Sequence, residues 1–222
     1  MTDFDSLKKS FKDSELIKQA LTHRSWVNEH PGERDTNERL EFLGDAVLEF
    51  IVSKELYLKF PNKKEGFLTS LRANLVNTIG LSMVARELKI GQYLYLSKGE
   101  EESGGRNNSS LLADTMEAVI GAIFLDQGIT KTEEFIRENI LSKTQKLINQ
   151  PLKDPKSRLQ EAIQAKGMPA PRYVVIKESG PDHQKIFVVK VFANGKALAR
   201  GTGKNKAEAE QEAAKKALEK II

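Results

Sequence analysis

The sequence predicts an all-helical domain followed by a small α+β domain in the order α-β-β-β-α. Three observations predict it. Apolar residues recur at helical spacing through the first 150 positions, short β-branched runs replace them after Pro151, and the charge changes sign between the two parts. Residues 1–150 carry 20 Lys+Arg against 23 Asp+Glu, a net of −3, whereas residues 151–222 carry 15 against 8, a net of +7. Such an asymmetry suggests one part that does chemistry and another that holds a polyanion. A chain of 222 residues has room for both cores.

Each element has a local reason. Asp13 to Thr22 places Leu16, Ile17, Ala20 and Leu21 on one helical stripe. Glu38 to Phe60 is apolar on nearly every side, as a central bundle helix should be, and Pro61 ends it. Gly66 to Asn77 and Thr78 to Lys89 read as two further helices, and Gly99 to Ser110 as a polar loop. Ser110 is placed to cap a helix from Leu111 to Leu125 that stops at Gly128, and Thr130 with Glu133 spells a capping box for a last helix through Leu147. The helical domain therefore covers residues 1–148, and a linker covers 149–153. In residues 154–222, Asp154 is a natural N-cap, Pro155 suits the first helical position and Gly167 the C-terminal cap. Arg172 to Glu178, Lys185 to Ala193 and Lys196 to Gly203 read as strands, with Asn194-Gly195 as a two-residue hairpin turn. Lys206 to Ile222 is the closing helix.

Composition excludes several classes. With no cysteine there is no disulfide, thiolate metal site or cysteine nucleophile. Met1 to Ser10 does not read as a signal peptide and no apolar stretch reads as a membrane span, so a cytoplasmic location is expected. His23, His30 and His183 form no zinc motif, and the phosphate-loop pattern Gly-x-x-x-x-Gly-Lys is absent, so no small-molecule cofactor is expected.

The chemistry concentrates in acids. Glu38, Glu41 and Asp45 are spaced +3 and +4, which puts three carboxylates within an arc of roughly 60° on one helix. Asp114 and Glu117 repeat the +3 spacing on a second apolar helix. Clustered carboxylates repel one another and lose hydration, so they need a positive partner. A hard divalent cation such as Mg²⁺ is one solution. Pairing with Arg39, Arg72 or Arg86 is the other, and the spacing alone leaves both open.

Asn37-Glu-Arg-Leu-Glu-Phe-Leu-Gly-Asp45 closely resembles the signature of the bacterial ribonuclease III family, and Asp114-Thr-Met-Glu117-Ala-Val-Ile-Gly resembles its second acidic helix. Leu21-Thr-His-Arg-Ser25 and Leu71-Arg-Ala-Asn-Leu-Val-Asn77 are similar to further family segments, and the C-terminal part resembles the double-stranded RNA-binding domain that follows in the family. The resemblance implies an all-α nuclease domain joined to a small α+β RNA-binding domain, acting as a homodimer on double-stranded RNA. It implies that Glu41, Asp114 and Glu117 bind Mg²⁺, with Mn²⁺ as a substitute, that Asp45 and Glu117 are the critical catalytic acids, and that Glu38 completes the cluster. Phe42 would pack into the partner subunit. An activated water would hydrolyse the phosphodiester and leave 5′-phosphate and 3′-hydroxyl ends. Processing of ribosomal RNA precursors is the implied role.

Duplex RNA is read through its minor groove and its phosphates. The resemblance implies that Gln160 and Glu161 face one minor groove, that Pro181 and His183 enter the next, and that Lys204 and Lys206 meet phosphates beside the positive end of the last helix. Two departures stand out: Ala207 stands where the family often has a second Lys or Arg, and Glu210 where some relatives have a basic residue, which predicts fewer phosphate contacts. The competing reading is an RNA-gripping protein with a decayed nuclease domain. Retention of Glu41, Asp45, Asp114 and Glu117 argues against it.

Overall fold

The computed structural model describes residues 4–144, 154–181 and 184–221, so the expected linker at 149–153, the helical stretch 145–147 and His183 lie outside the described residues. The chain divides into two compact units, residues 1–152 and 153–222.

The first unit is helical: α1 (Phe4–Lys9), α2 (Ser14–Ala20), α3 (Arg24–Glu29), α4 (Glu38–Lys59), α5 (Glu65–Val76), α6 (Thr78–Glu87), α7 (Lys98–Glu102) and α8 (Ser109–Asn139). At its centre α4 packs along α8. Leu40, Leu48, Ile51, Val52 and Leu56 of α4 interleave in one core with Leu112, Met116, Val119, Ile120 and Ile123 of α8. Two glycines set how closely the helices approach. A Cβ on Gly44 would collide with the Glu117 carbonyl and lie 2.9 Å from the Gly121 amide nitrogen; a Cβ on Gly121 would collide with the Leu40 carbonyl and lie 3.2 Å from the Gly44 nitrogen. Only residues without a side chain fit this crossing.

Several elements differ from the sequence reading. The short helices α1 and α3 were not expected, and Lys98–Glu102 turns inside the predicted loop because the Ser97 hydroxyl accepts from the Glu100 amide at 3.2 Å. Helix α8 is capped by Asn108, not Ser110: the Asn108 side chain accepts from the Ser110 N–H at 2.9 Å. Gly128 does break the helix, with φ of 77°, but Thr130 and Glu133 form no capping box, because the chain re-enters the helix at once and ends at Asn139. Helix α4 is not buried all round. Phe42, Phe50 and Tyr57 are 82, 60 and 71% exposed and share one side of the helix, so its apolar circumference is half core and half open surface.

The second unit runs α9 (Pro155–Gln164), β1 (Arg172–Ser179), β2 (Ile186–Ala193), β3 (Lys196–Gly203) and α10 (Lys206–Ile221). Its strands form an antiparallel sheet in the order β1-β2-β3. Asp154 caps α9 by accepting from the Lys156 and Ser157 amides, with Pro155 at the first position. Asn194 and Gly195 both have positive φ, 46° and 75°, which suits the tight β2–β3 turn. Leu159 and Ile163 meet Val191, Ala213, Ala214, Ala217 and Leu218 in a separate small core.

Candidate active site and RNA-binding surface

The close crossing of α4 and α8 brings the acids together. Single carboxylate oxygens of Glu41, Asp114 and Glu117 all lie within 4.8 Å of one another. Glu38 and Asp45, both exposed on α4, fall outside that group. Glu38 accepts from the Thr36 hydroxyl at 3.0 Å. Asn37, buried at the start of α4, fixes that helix end: its N–H donates to the Thr22 carbonyl and its own carbonyl accepts from the Glu41 N–H, each at 2.9 Å.

Of the three arginines that could have neutralised these acids, Arg39 is exposed on α4 with no ion pair to them among the described residues, and the other two are engaged elsewhere. Arg72 pairs with Glu49 at 3.2 Å and donates to Ser53. Arg86 reaches Ser82, the Asn107 carbonyl and Ser109. The cost of this arrangement shows in proton affinity. Burial first, then the carboxylates of Asp45, Asp114 and Glu41, pushes Glu117 up to about 8. Glu41 is raised by burial and then by Asp114, Glu38 and Asp45. Burial also raises Asp114, although His23 pulls it back.

Sequence reasoning left His23 without a role at this site. Its Nδ1 accepts the Ser25 N–H at 3.3 Å and lies 2.8 Å from the Ser25 hydroxyl. That amide contact leaves the proton of the neutral ring on Nε2. Burial lowers the His23 pKa, while the nearby charges of Glu100, Asp114 and Glu38 oppose the shift. The signal available in the sequence was its place in Leu21-Thr-His-Arg-Ser25.

A raised carboxyl makes stability depend on pH with a definite sign. Glu117 binds its proton in the folded chain up to about 8 but only up to its ordinary 4.5 when unfolded, so the folded state loses stability as pH rises between those values. Glu117→Gln removes this one contribution. In chelator, the variant is expected to melt well above the parent at about pH 8.5 and close to it at about pH 4.5. A difference in melting temperature that does not vary with pH would contradict it.

On the second unit, Gln160 and Glu161 are exposed on α9, Pro181 is exposed after β1, and Lys204 and Lys206 are exposed at the start of α10. Lys206 lies 3.9 Å from Glu178 and over the Phe187 ring. The positive end of α10 already carries an acid of its own. Glu208 accepts from the Lys204 N–H and the Asn205 side-chain amide at 3.0 Å each, while the Asn205 side chain accepts from the Glu208 N–H at 2.9 Å.

Residues 13–144 match the family described as Ribonuclease-III-like, and residues 155–221 match the Double-stranded RNA binding motif. Ribonuclease 3 of Natranaerobius thermophilus is 46% identical over 211 residues, which cover 95% of this chain and 92% of that protein. The chain belongs to the ribonuclease III family. Membership makes it a hydrolase, an endoribonuclease of double-stranded RNA. Ribonuclease 3 of Streptococcus pneumoniae is also 46% identical, over 95% of this chain and 91% of its own. The crystallised nuclease domain of Campylobacter jejuni ribonuclease III covers 64% of this chain and 97% of its own, at 38% identity and a TM-score of 0.57. A second structure of that domain, titled for flexibility in a region involved in dimer formation, gives 40% identity and a TM-score of 0.55 over 62% of this chain and 95% of its own. No helix among the described residues is long and apolar enough to cross a membrane.

Proposed function

We propose that Glu41, Asp114 and Glu117 hold a divalent cation, Mg²⁺ with Mn²⁺ as a substitute, against a phosphate of duplex RNA. One observation carries the reading: three carboxylates from two rigid helices converge within 4.8 Å, and burial and mutual repulsion push one of them up to about 8. A set of hard oxygen donors with no ammonium or guanidinium paired to them among the described residues suits Mg²⁺. When bound, the ion supplies a Lewis acid that stabilises phosphate charge and eases deprotonation of water.

The chain's own residues do the rest. Glu117, proton-bound near neutral pH without a counter-charge, gives up its proton as positive charge arrives. Asp45, exposed one turn beyond Glu41, is assigned to orient the attacking water and accept its proton. Glu38 keeps the rim acidic. Hydrolysis by water leaves 5′-phosphate and 3′-hydroxyl ends.

A homodimer extends the reading. Phe42 and Phe50 stand exposed on one side of α4, a surface suited to a second copy of the chain. Two sites, each cutting one strand, would give short 3′ overhangs. On the second unit Gln160, Glu161, Pro181, His183, Lys204 and Lys206 are assigned to the grooves and phosphates of the duplex. Ribosomal RNA precursors in the cytoplasm are the proposed targets.

The test is perfect duplex RNA incubated with and without Mg²⁺, followed by end-group analysis. Cyclic phosphate ends, or cutting undiminished by chelator, would overturn the mechanism. Deleting residues 151–222 is expected to weaken RNA affinity by more than roughly tenfold while sparing some cleavage at low salt and high Mg²⁺. A truncated protein that is folded, dimeric and wholly inert would contradict the division of labour.

A further inference from the structure

We propose that Glu210 is a built-in competitor for RNA phosphate, occupying Lys156 on the face where α9 and α10 meet the duplex. This rests on the assignment of those two helices to the RNA surface.

The geometry is as follows. Gln160 and Lys156 are one turn apart on α9, and Lys206 and Glu210 are one turn apart on α10, so each helix presents its pair on one side. The Lys156 ammonium lies 2.6 Å from the Glu210 carboxylate and bridges the two helices. It also sits 5.0 Å from the centre of the Tyr173 ring, an aromatic support that remains if the carboxylate is removed. Both members of the ion pair are partly open to solvent, at 37 and 26% exposure. They are therefore within reach of an incoming polyanion.

The pair is not what fastens the helices. Leu159 and Ile163 of α9 pack on Ala213, Ala214, Ala217 and Leu218 of α10. Beside them the Gln211 side chain donates to Asp154 at 2.8 Å and accepts from the Lys156 amide at 3.2 Å. A half-open ion pair adds little to such a junction. Its larger effect is on charge. A cation already neutralised from within displaces no counterion from RNA and attracts no phosphate until its partner lets go. Glu210 thus lowers affinity through Lys156, beyond merely failing to supply a cation of its own.

The experiment measures binding of the full chain to a perfect duplex of about 20 base pairs, longer than the ~16 such a domain spans, in chelator so that nothing is cut. Glu210→Gln is expected to tighten binding roughly three- to tenfold and to steepen the salt dependence by about one charge. Lys156→Gln should weaken binding by a similar factor, because it leaves the carboxylate facing RNA unpaired. The double variant should return close to the parent. Unchanged or weaker binding by Glu210→Gln overturns the proposal, as does a loss of binding in both single variants that tracks a fall in melting temperature. Lys206→Gln reports separately on the surface. If it weakens binding while Glu210→Gln is neutral, the surface stands and the competition falls. If neither variant alters binding, both fall.

Discussion

Replacing Glu117 by Gln is expected to slow cleavage of duplex RNA by at least about a thousandfold while changing RNA affinity by less than about twofold. The side chain is nearly isosteric, so the packing of α8 against α4 is kept. What disappears is a carboxyl group able to ionise as a cation arrives, from a cluster of three whose oxygens lie within 4.8 Å of one another. The remaining pair, Glu41 and Asp114, offers a hard cation one carboxylate oxygen fewer, and no side chain of the variant can release a proton to match its charge. RNA affinity should hold because the surface assigned to it lies on the other unit, at Gln160, Glu161, Lys204 and Lys206. Single-turnover cleavage and equilibrium binding in chelator separate the two effects. Loss of binding in parallel with cutting would make Glu117 a structural residue.

Gly44→Ala is the second large effect. The added methyl would collide with the Glu117 carbonyl and come 2.9 Å from the Gly121 nitrogen, and backbone cannot move aside as a flexible side chain can. Either the helices separate or the chain loses roughly 3 kcal/mol of stability to overpacking. Separation moves Glu41 away from Asp114 and Glu117, so cleavage should be lost even in the folded fraction. Gly66→Ala is the control, because a Cβ there meets nothing within 4 Å. Urea titrations of both variants decide the matter: equal stability would mean that α4 and α8 do not depend on a side-chain-free crossing.

The acid spacing on α4 and α8 was legible in the sequence because +3 and +4 intervals have one geometric meaning on a helix. That the two helices would meet was not readable from spacing; it needed the family resemblance or the structure. Asp154 and Asn194-Gly195 were legible for a similar reason: an N-cap and a hairpin turn are local devices that tertiary packing rarely overrides. Where two local signals competed, the sequence misled. Asn108 and Ser110 are both good caps, and Asn108 won. Thr130 and Glu133 spell a capping box, yet the turn at Gly128 re-enters the helix too soon for one to form. Composition alone hid the open side of α4, because Phe42 and Phe50 look like core residues; only the family resemblance set Phe42 apart. His23 escaped notice since its neighbours at the site, Asp114 and Glu100, are distant in sequence.

The elevated Glu117 carboxyl bears on any attempt to make the protein hardier. A heat-resistance screen run in EDTA would reward every substitution that dilutes the crowded negative charge between α4 and α8. Its winners would be catalytically silent. With the proposed Mg²⁺ site, screening in millimolar magnesium would remove that bias, because a ligated ion favours the chains that keep Glu41, Asp114 and Glu117.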